Sequence, residues 1–114
     1  MHARVTQFSV PSEKVNEFVE SLNSMIPLMR QQHGFQALLV LRVEKSDPAD
    51  VRVMTLWESQ KALHESENNF YFYQALSRAL AFAKGFPMIR EEEVMVHDFA
   101  SVAGAAAESS AASS

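Results

Sequence analysis

Between Val15 and Met29 the apolar residues recur at helical spacing. Val15, Phe18, Val19, Leu22, Met25, Ile26 and Met29 fall at offsets 0, 3, 4, 7, 10, 11 and 14, which is one face at a period of 3.6. Lys14, Asn16, Glu17, Glu20, Ser21, Asn23 and Ser24 occupy the other face. Ser12 is a candidate N-cap, with Glu13 placed favourably in the first turn. Pro27 removes one backbone donor, so the pattern predicts a kink in the last turns or an early end. Gly34 supplies a stop.

Strand-like runs flank this helix. Residues 3–10 read as a first strand, ended by Pro11, and residues 35–44 as a second. The polar stretch Lys45-Ser46-Asp47-Pro48-Ala49 is a turn, and residues 51–57 form a third strand in a hairpin with the second. Ser59 is placed to cap a short helix through Ser66. A longer helix is expected over residues 68–84, closed by Gly85 and Pro87, and a last strand over residues 88–99. The order β-α-β-β-α-β is the split βαβ pattern of an α+β, ferredoxin-like fold. It predicts a four-stranded antiparallel sheet with both helical segments on one face.

A sheet covered on one face should alternate apolar and polar residues. These strands do not. Phe35, Ala37, Leu39, Leu41 and Val43 are expected to point one way, and Leu38 and Val40 the other. The third strand sets Val51, Val53, Thr55 and Trp57 against Met54 and Leu56, and the last sets Val94 and Val96 against Met95 and Phe99. No second set of helices is available for the other face. Two copies packed through it would bury it symmetrically, which predicts a homodimer through the sheet face. The alternative is a modest surface patch on a monomer.

Composition narrows the chemistry. The chain has 114 residues, and from Ala100 to Ser114 it is almost entirely Ala, Ser and Gly. This divides it into a domain over residues 1–99 and a flexible tail over 100–114. There are no cysteines, so disulfides, thiolate nucleophiles and cysteine metal sites are excluded, and a cytoplasmic setting fits. The N-terminus lacks the apolar stretch of a secretory signal, and no apolar run approaches a membrane span. A net charge of −4 with no basic block argues against nucleic-acid and membrane partners. His2, His33, His64 and His97 are widely spaced, so no metal site is expected.

Gln32-His33-Gly34-Phe35, the apolar Ala37-Leu38-Leu39-Val40, and above all Trp57-Glu58-Ser59 followed by Ala62-Leu63 resemble the antibiotic biosynthesis monooxygenase-like family of dimeric α/β barrels. The resemblance covers roughly residues 3–99. It implies a homodimer whose two sheets form a barrel, with a small apolar pocket between sheet and helices in each subunit. Characterised relatives include oxygenases that act on quinols or anthrones without metal or flavin. Many members carry a histidine nine positions after the tryptophan, where Ser66 stands here. A second histidine is replaced by tyrosine in Asn69-Phe70-Tyr71-Phe72. Haem-degrading members use an asparagine, a tryptophan and a histidine where the nearest residues here are Thr6, Ser66 and Leu76.

Oxygenation without a cofactor needs an electron-rich substrate, a base, a donor for the resulting anion and a dry pocket. Tyr71 and His64 are the candidates for proton transfer. Trp57, Thr6, Asn68, Asn69, Phe72, Met25 and Met29 are the candidates for binding a small apolar or aromatic molecule. Phe70, Phe72, Tyr73, Phe82 and Phe86 make the second helical region strongly aromatic. Each also has a plainer reading: the aromatic and methionine side chains as core, Trp57 as a packing anchor, and Asn68 and Asn69 as helix-start residues. The expected function is a cofactor-independent monooxygenase acting on a small aromatic or quinol-like substrate. The alternatives are a ligand-binding or structural homodimer without catalysis and, more remotely, a haem-binding protein.

Overall fold

Alternation along β1 (His2–Val10) sends Arg4, Thr6, Phe8 and Val10 to one face and Val5, Gln7 and Ser9 to the other. The computed structural model describes residues 1–100. After β1 come a 3₁₀ turn (Ser12–Lys14), α1 (Val15–Arg30), β2 (Phe35–Arg42), β3 (Ala49–Trp57), α2 (Gln60–Glu67), α3 (Phe70–Leu80) and β4 (Lys84–Glu93). The sheet order is β2-β3-β1-β4 and every neighbouring pair is antiparallel. This is the ferredoxin-like α+β arrangement that the element order predicts. Among the described residues no helix is long and apolar enough to cross a membrane.

The periodic face of α1 packs on the sheet, with Phe18, Leu22, Met25 and Met29 all buried. Two clusters form the core. One joins Phe8, Val10, Val51 and Val53 to Phe18, Leu22 and Ala79, and the Phe8 and Phe18 rings meet edge to face at 5.2 Å. The other gathers Met25, Met29, Trp57, Ala62, Leu63 and Tyr71.

Several boundaries depart from the sequence reading. Ser12 caps no helix; its hydroxyl donates to the Asp47 carboxylate at 2.7 Å. α1 runs through Pro27 to Arg30, because buried Met29 anchors the final turn to the core. α3 ends at Leu80, and β4 starts at Lys84 rather than at Met88. Gly85 therefore lies inside the strand. Its φ of +68° falls where the β1–β4 register shifts between Gln7 and Ser9, a local geometry that suits glycine. β4 stops at Glu93, opposite His2, where β1 starts. The last link is Val94 N–H to the Met1 carbonyl at 3.0 Å. The expected strand residues 94–99 thus carry no strand structure. The tail beyond Ala100 lies outside the described residues.

A register shift in β2, between Phe35 and Ala37, also changes the face assignment. Phe35 pairs with Trp57 and its ring packs edge to face on the indole at 5.5 Å, within the core. Past the shift, Leu38 packs on the helical side, while Ala37, Leu39 and Leu41 align with Leu56, Met54 and Arg52 on the other face. Leu39 and Leu41 remain 44% and 48% exposed there. The same face carries a polar zone, in which Gln7 donates to Asp50 at 3.1 Å.

Candidate functional site

A cavity of about 60 Å³ lies between the helical face of the sheet and the helices. β1 contributes Arg4, Thr6 and Phe8, β3 contributes Val53 and Thr55, and α1 contributes Leu22 and Met29. The remaining wall is the inner face of α3, with Tyr71, Phe72, Ala75, Leu76 and Ala79. Helical spacing selects that set: residues 71, 75 and 79 lie one turn apart, while Phe70 and Tyr73 turn outward and are exposed. The lining is mostly apolar, with Arg4, Thr6, Thr55 and Tyr71 as its polar groups.

Arg4 is the residue that the sequence reading missed. It lies inward on β1 in step with Thr6 and Phe8 and is only 5% exposed. Its Nη2 donates to the Leu63 carbonyl and to the Ser66 hydroxyl, both at 3.1 Å, and lies 3.5 Å from the Glu67 carboxylate. The guanidinium carbon sits 4.5 Å from the centre of the Phe72 ring and 5.8 Å from that of Trp57, within cation–π range. Nε is buried and has no hydrogen-bond partner among the described residues. A charged residue placed by strand alternation on the helix-covered face was the available signal, because such a residue needs partners. Ser66 also gains a defined part. Its hydroxyl donates to the Leu63 carbonyl at 2.6 Å while accepting from Arg4.

The structure brings together Tyr71, Phe72, Thr6 and Met29 of the expected site residues, all on the cavity wall. Tyr71 is 7% exposed. Met25 is buried in the adjoining cluster without lining the cavity. Trp57 is wholly buried behind Arg4, and its indole N–H donates to the Thr55 hydroxyl at 3.0 Å. This ties the indole to a residue of the lining. Asn68 and Asn69 are exposed between α2 and α3; the Asn69 amide donates to the Gln32 side chain at 2.6 Å. His64 points away from the cavity and lies 2.7 Å from Glu91 of β4. With Glu67, one turn further along α2, these groups place their ligand atoms within 4.8 Å of one another. That cluster was not evident from histidine spacing, because Glu91 joins it through the β1–β4 pairing, opposite Arg4. The Arg4 cation beside Glu67 opposes a second cation there.

Ser59 caps α2 as the sequence predicts, its hydroxyl accepting from the Ala62 N–H at 3.1 Å. The Glu58 N–H donates to the Gly34 carbonyl at 2.8 Å. Gly34, at a φ of +79°, lies so close to α2 that a Cβ there would stand 2.5 Å from that of Ala62. The Trp57-Glu58-Ser59 corner is thus held against the end of the α1–β2 link.

Fold and site together define a ferredoxin-like α+β domain with a small, mainly apolar pocket between sheet and helices. A family model for antibiotic biosynthesis monooxygenases matches residues 1–78, and the chain belongs to that family. No curated protein matches it in sequence. Among solved structures, it is similar to SnoaB, a cofactor-independent oxygenase from Streptomyces nogalater, with a TM-score of 0.70 at 15% identity, over 84% of this chain and 94% of that one. A conserved protein from Methanosarcina mazei Go1 superposes with a TM-score of 0.69 at 18% identity, over 82% and 92% of the two chains. The NE2512 protein of unknown function from Nitrosomonas europaea gives 0.69 at 16% identity, over 88% and 94%. At these identities the likeness shows the fold, and function has to be argued from the site.

Proposed function

We propose that the protein is a cofactor-independent monooxygenase acting on a small aromatic or quinol-like substrate, and that it works as a homodimer joined through the open sheet face. The observation that carries the first part is the composition of the cavity wall. Apolar side chains from four elements surround a few polar groups, one of them the Tyr71 phenol. Such a site excludes water from an electron-rich ring and leaves a proton-transfer group beside it. The membership in the monooxygenase family and the shared fold with SnoaB support the same reading.

In the reaction, a ring carbon bearing two hydrogens, as in an anthrone, loses a proton to give a delocalised carbanion that reduces dioxygen. One oxygen atom becomes the new carbonyl on that carbon. The other leaves as water, which carries away both hydrogens. Tyr71 moves the proton, and Thr6, Phe72 and Met29 position the ring. The free volume of about 60 Å³ holds a few water molecules, whereas a cavity of about 150 Å³ accepts benzene. Substrate entry therefore displaces part of the wall.

The dimer rests on Leu39, Leu41 and Met88, all exposed on the face that carries no helices. A second copy applied to it buries a patch that a monomer would leave in water.

Oxygen uptake with anthrones and naphthoquinols, measured on the wild type and on Tyr71→Phe, tests the catalytic reading. We expect uptake by the wild type and a loss of about 10²-fold or more in the variant, the scale of a missing proton-transfer group. A wild type that consumes no oxygen with any of these substrates, yet binds them, establishes a ligand-binding protein instead.

A further inference from the structure

We infer that the cavity takes its ligand as an anion, with the Arg4 guanidinium as the group that holds the negative oxygen. The inference rests on the cavity being the ligand site, and it goes further by naming the charge of the ligand and the residue that selects it.

Among the described residues that line the cavity, Arg4 is the only one with a cationic side chain. A guanidinium offers five N–H donors in a fixed plane and never gives up its charge. Here the protein acceptors, Leu63 O and Ser66 Oγ, and the nearest carboxylate, Glu67, all meet one nitrogen, Nη2. Among the described residues Nε meets none, though it is cut off from solvent. A buried donor on a charged group without an acceptor is unfavourable, and it calls for a specific explanation. Nε is closed to a molecule the size of water, so it gains an acceptor only as the wall gives way to the ligand; an anionic oxygen entering then supplies both the acceptor and the counter-charge.

The surroundings leave that charge available. The titratable groups around Arg4 are His2, two residues earlier on the same face of β1, Glu67 and His64 of α2, Glu91 of β4 and Tyr71 of α3. Glu91 stands opposite Arg4 in the strand register, but its carboxylate is engaged by His64 at 2.7 Å. Glu67 is one-third exposed and 3.5 Å away, so water screens its pull. On the cavity side Arg4 faces hydroxyls and hydrocarbon, where an ion attracts more strongly than it does in water. Phe72 stacks on the guanidinium at 4.5 Å, which fixes the fork and offers an aromatic surface beside the anion. The ligand class is therefore a planar aromatic or conjugated molecule with one ionised oxygen. That oxygen belongs either to a phenolate or enolate or to a carboxylate.

The test uses the full-length protein and two probe pairs. The first is 4-nitrophenol, whose ionised form is read by its visible absorbance across a pH titration. The second is benzoate against benzamide, its uncharged analogue of similar shape. Bound 4-nitrophenol should ionise about 1–2 pH units lower than the free compound, as expected beside a cation. That shift corresponds to about 10–100-fold tighter binding of the phenolate than of the phenol. A preference confined to 4-nitrophenol marks the phenolate or enolate source. A tenfold or greater preference for benzoate over benzamide marks the carboxylate source. In Arg4→Gln the preference should vanish, and Arg4→Lys should restore part of it. Should Arg4→Gln fail to fold, the wild-type measurements decide alone.

Equal binding of charged and neutral forms by the wild type overturns the inference, and so does an anion preference that survives in folded Arg4→Gln. Failure of both probe pairs to bind at millimolar concentration overturns it as well, as for a cavity that merely holds water. No oxygen consumption enters these readouts. Anion preference without oxygen uptake refutes the monooxygenase alone, and uptake without anion preference refutes the role of Arg4 alone.

Discussion

Replacing Gly34 by alanine should destabilise the fold through two separable effects. The first is backbone strain. A φ of +79° is open to glycine but costs an L-residue about 1–2 kcal/mol. The second is overlap. The new methyl would stand 2.5 Å from Ala62 Cβ and 3.0 Å from Glu58 Cγ, against about 3.5–4.0 Å for carbon atoms at ordinary contact. Glu58 is exposed and can swing away, but Ala62 is buried on α2, so the helix must shift by about 1 Å or more to restore ordinary contact. Overpacking of this kind costs about 1–3 kcal/mol. The expected total is about 2–5 kcal/mol, a large share of the stability of an ordinary domain. Urea unfolding followed by circular dichroism measures it, at one fixed protein concentration because a dimer's stability depends on concentration. A double-mutant cycle with Ala62→Gly separates the two effects. Removing the opposing methyl should recover about 1–3 kcal/mol of the Gly34→Ala loss, leaving the backbone strain. A Gly34→Ala protein within about 0.5 kcal/mol of the wild type, the range of ordinary surface substitutions, would refute the packing argument, and a cycle with no coupling would refute the contact with Ala62.

Ser59→Ala removes the hydroxyl that accepts from Ala62 N–H and should cost about 1 kcal/mol, the usual value of such a cap, in the same urea assay. Leu39→Glu together with Leu41→Glu places two charges on the open sheet face, where both leucines are exposed. In sedimentation equilibrium the wild type should run as a dimer and this variant as a 12.8 kDa monomer. A wild type that is monomeric at micromolar concentration refutes the pairing.

The helix and strand pattern was legible in the chain because it follows from local periodicity. The 3.6-residue spacing from Val15 to Met29 marks the buried face of α1, and alternation in residues 51–57 separates Val51, Val53, Thr55 and Trp57 from Met54 and Leu56. Ser59 is readable for the same reason, since its capping partner lies three residues away. The site was legible only in part. Tyr71 and Phe72 could be named because the family resemblance of Asn69-Phe70-Tyr71-Phe72 falls at the start of a strongly aromatic helical region. Their neighbours on the cavity wall come from three other elements.

What the tertiary structure decided is whatever depends on contacts between distant segments. The β2 register shift turns Phe35 into the core and Leu39 and Leu41 onto the open face, and no local pattern encodes that one-residue slip. β4 ends at Glu93 opposite the first residue of β1, 91 positions earlier, a pairing that no local pattern shows. Arg4 shows the difference most directly. By itself, the sequence determines that Arg4 shares a face with Thr6 and Phe8, because side chains alternate along any strand. Only the packing of α2 and α3 over that face buries its charge, gives Nη2 two acceptors and leaves Nε without one. An unmet hydrogen bond is a property of everything around a group, so it can be read only once the chain has folded.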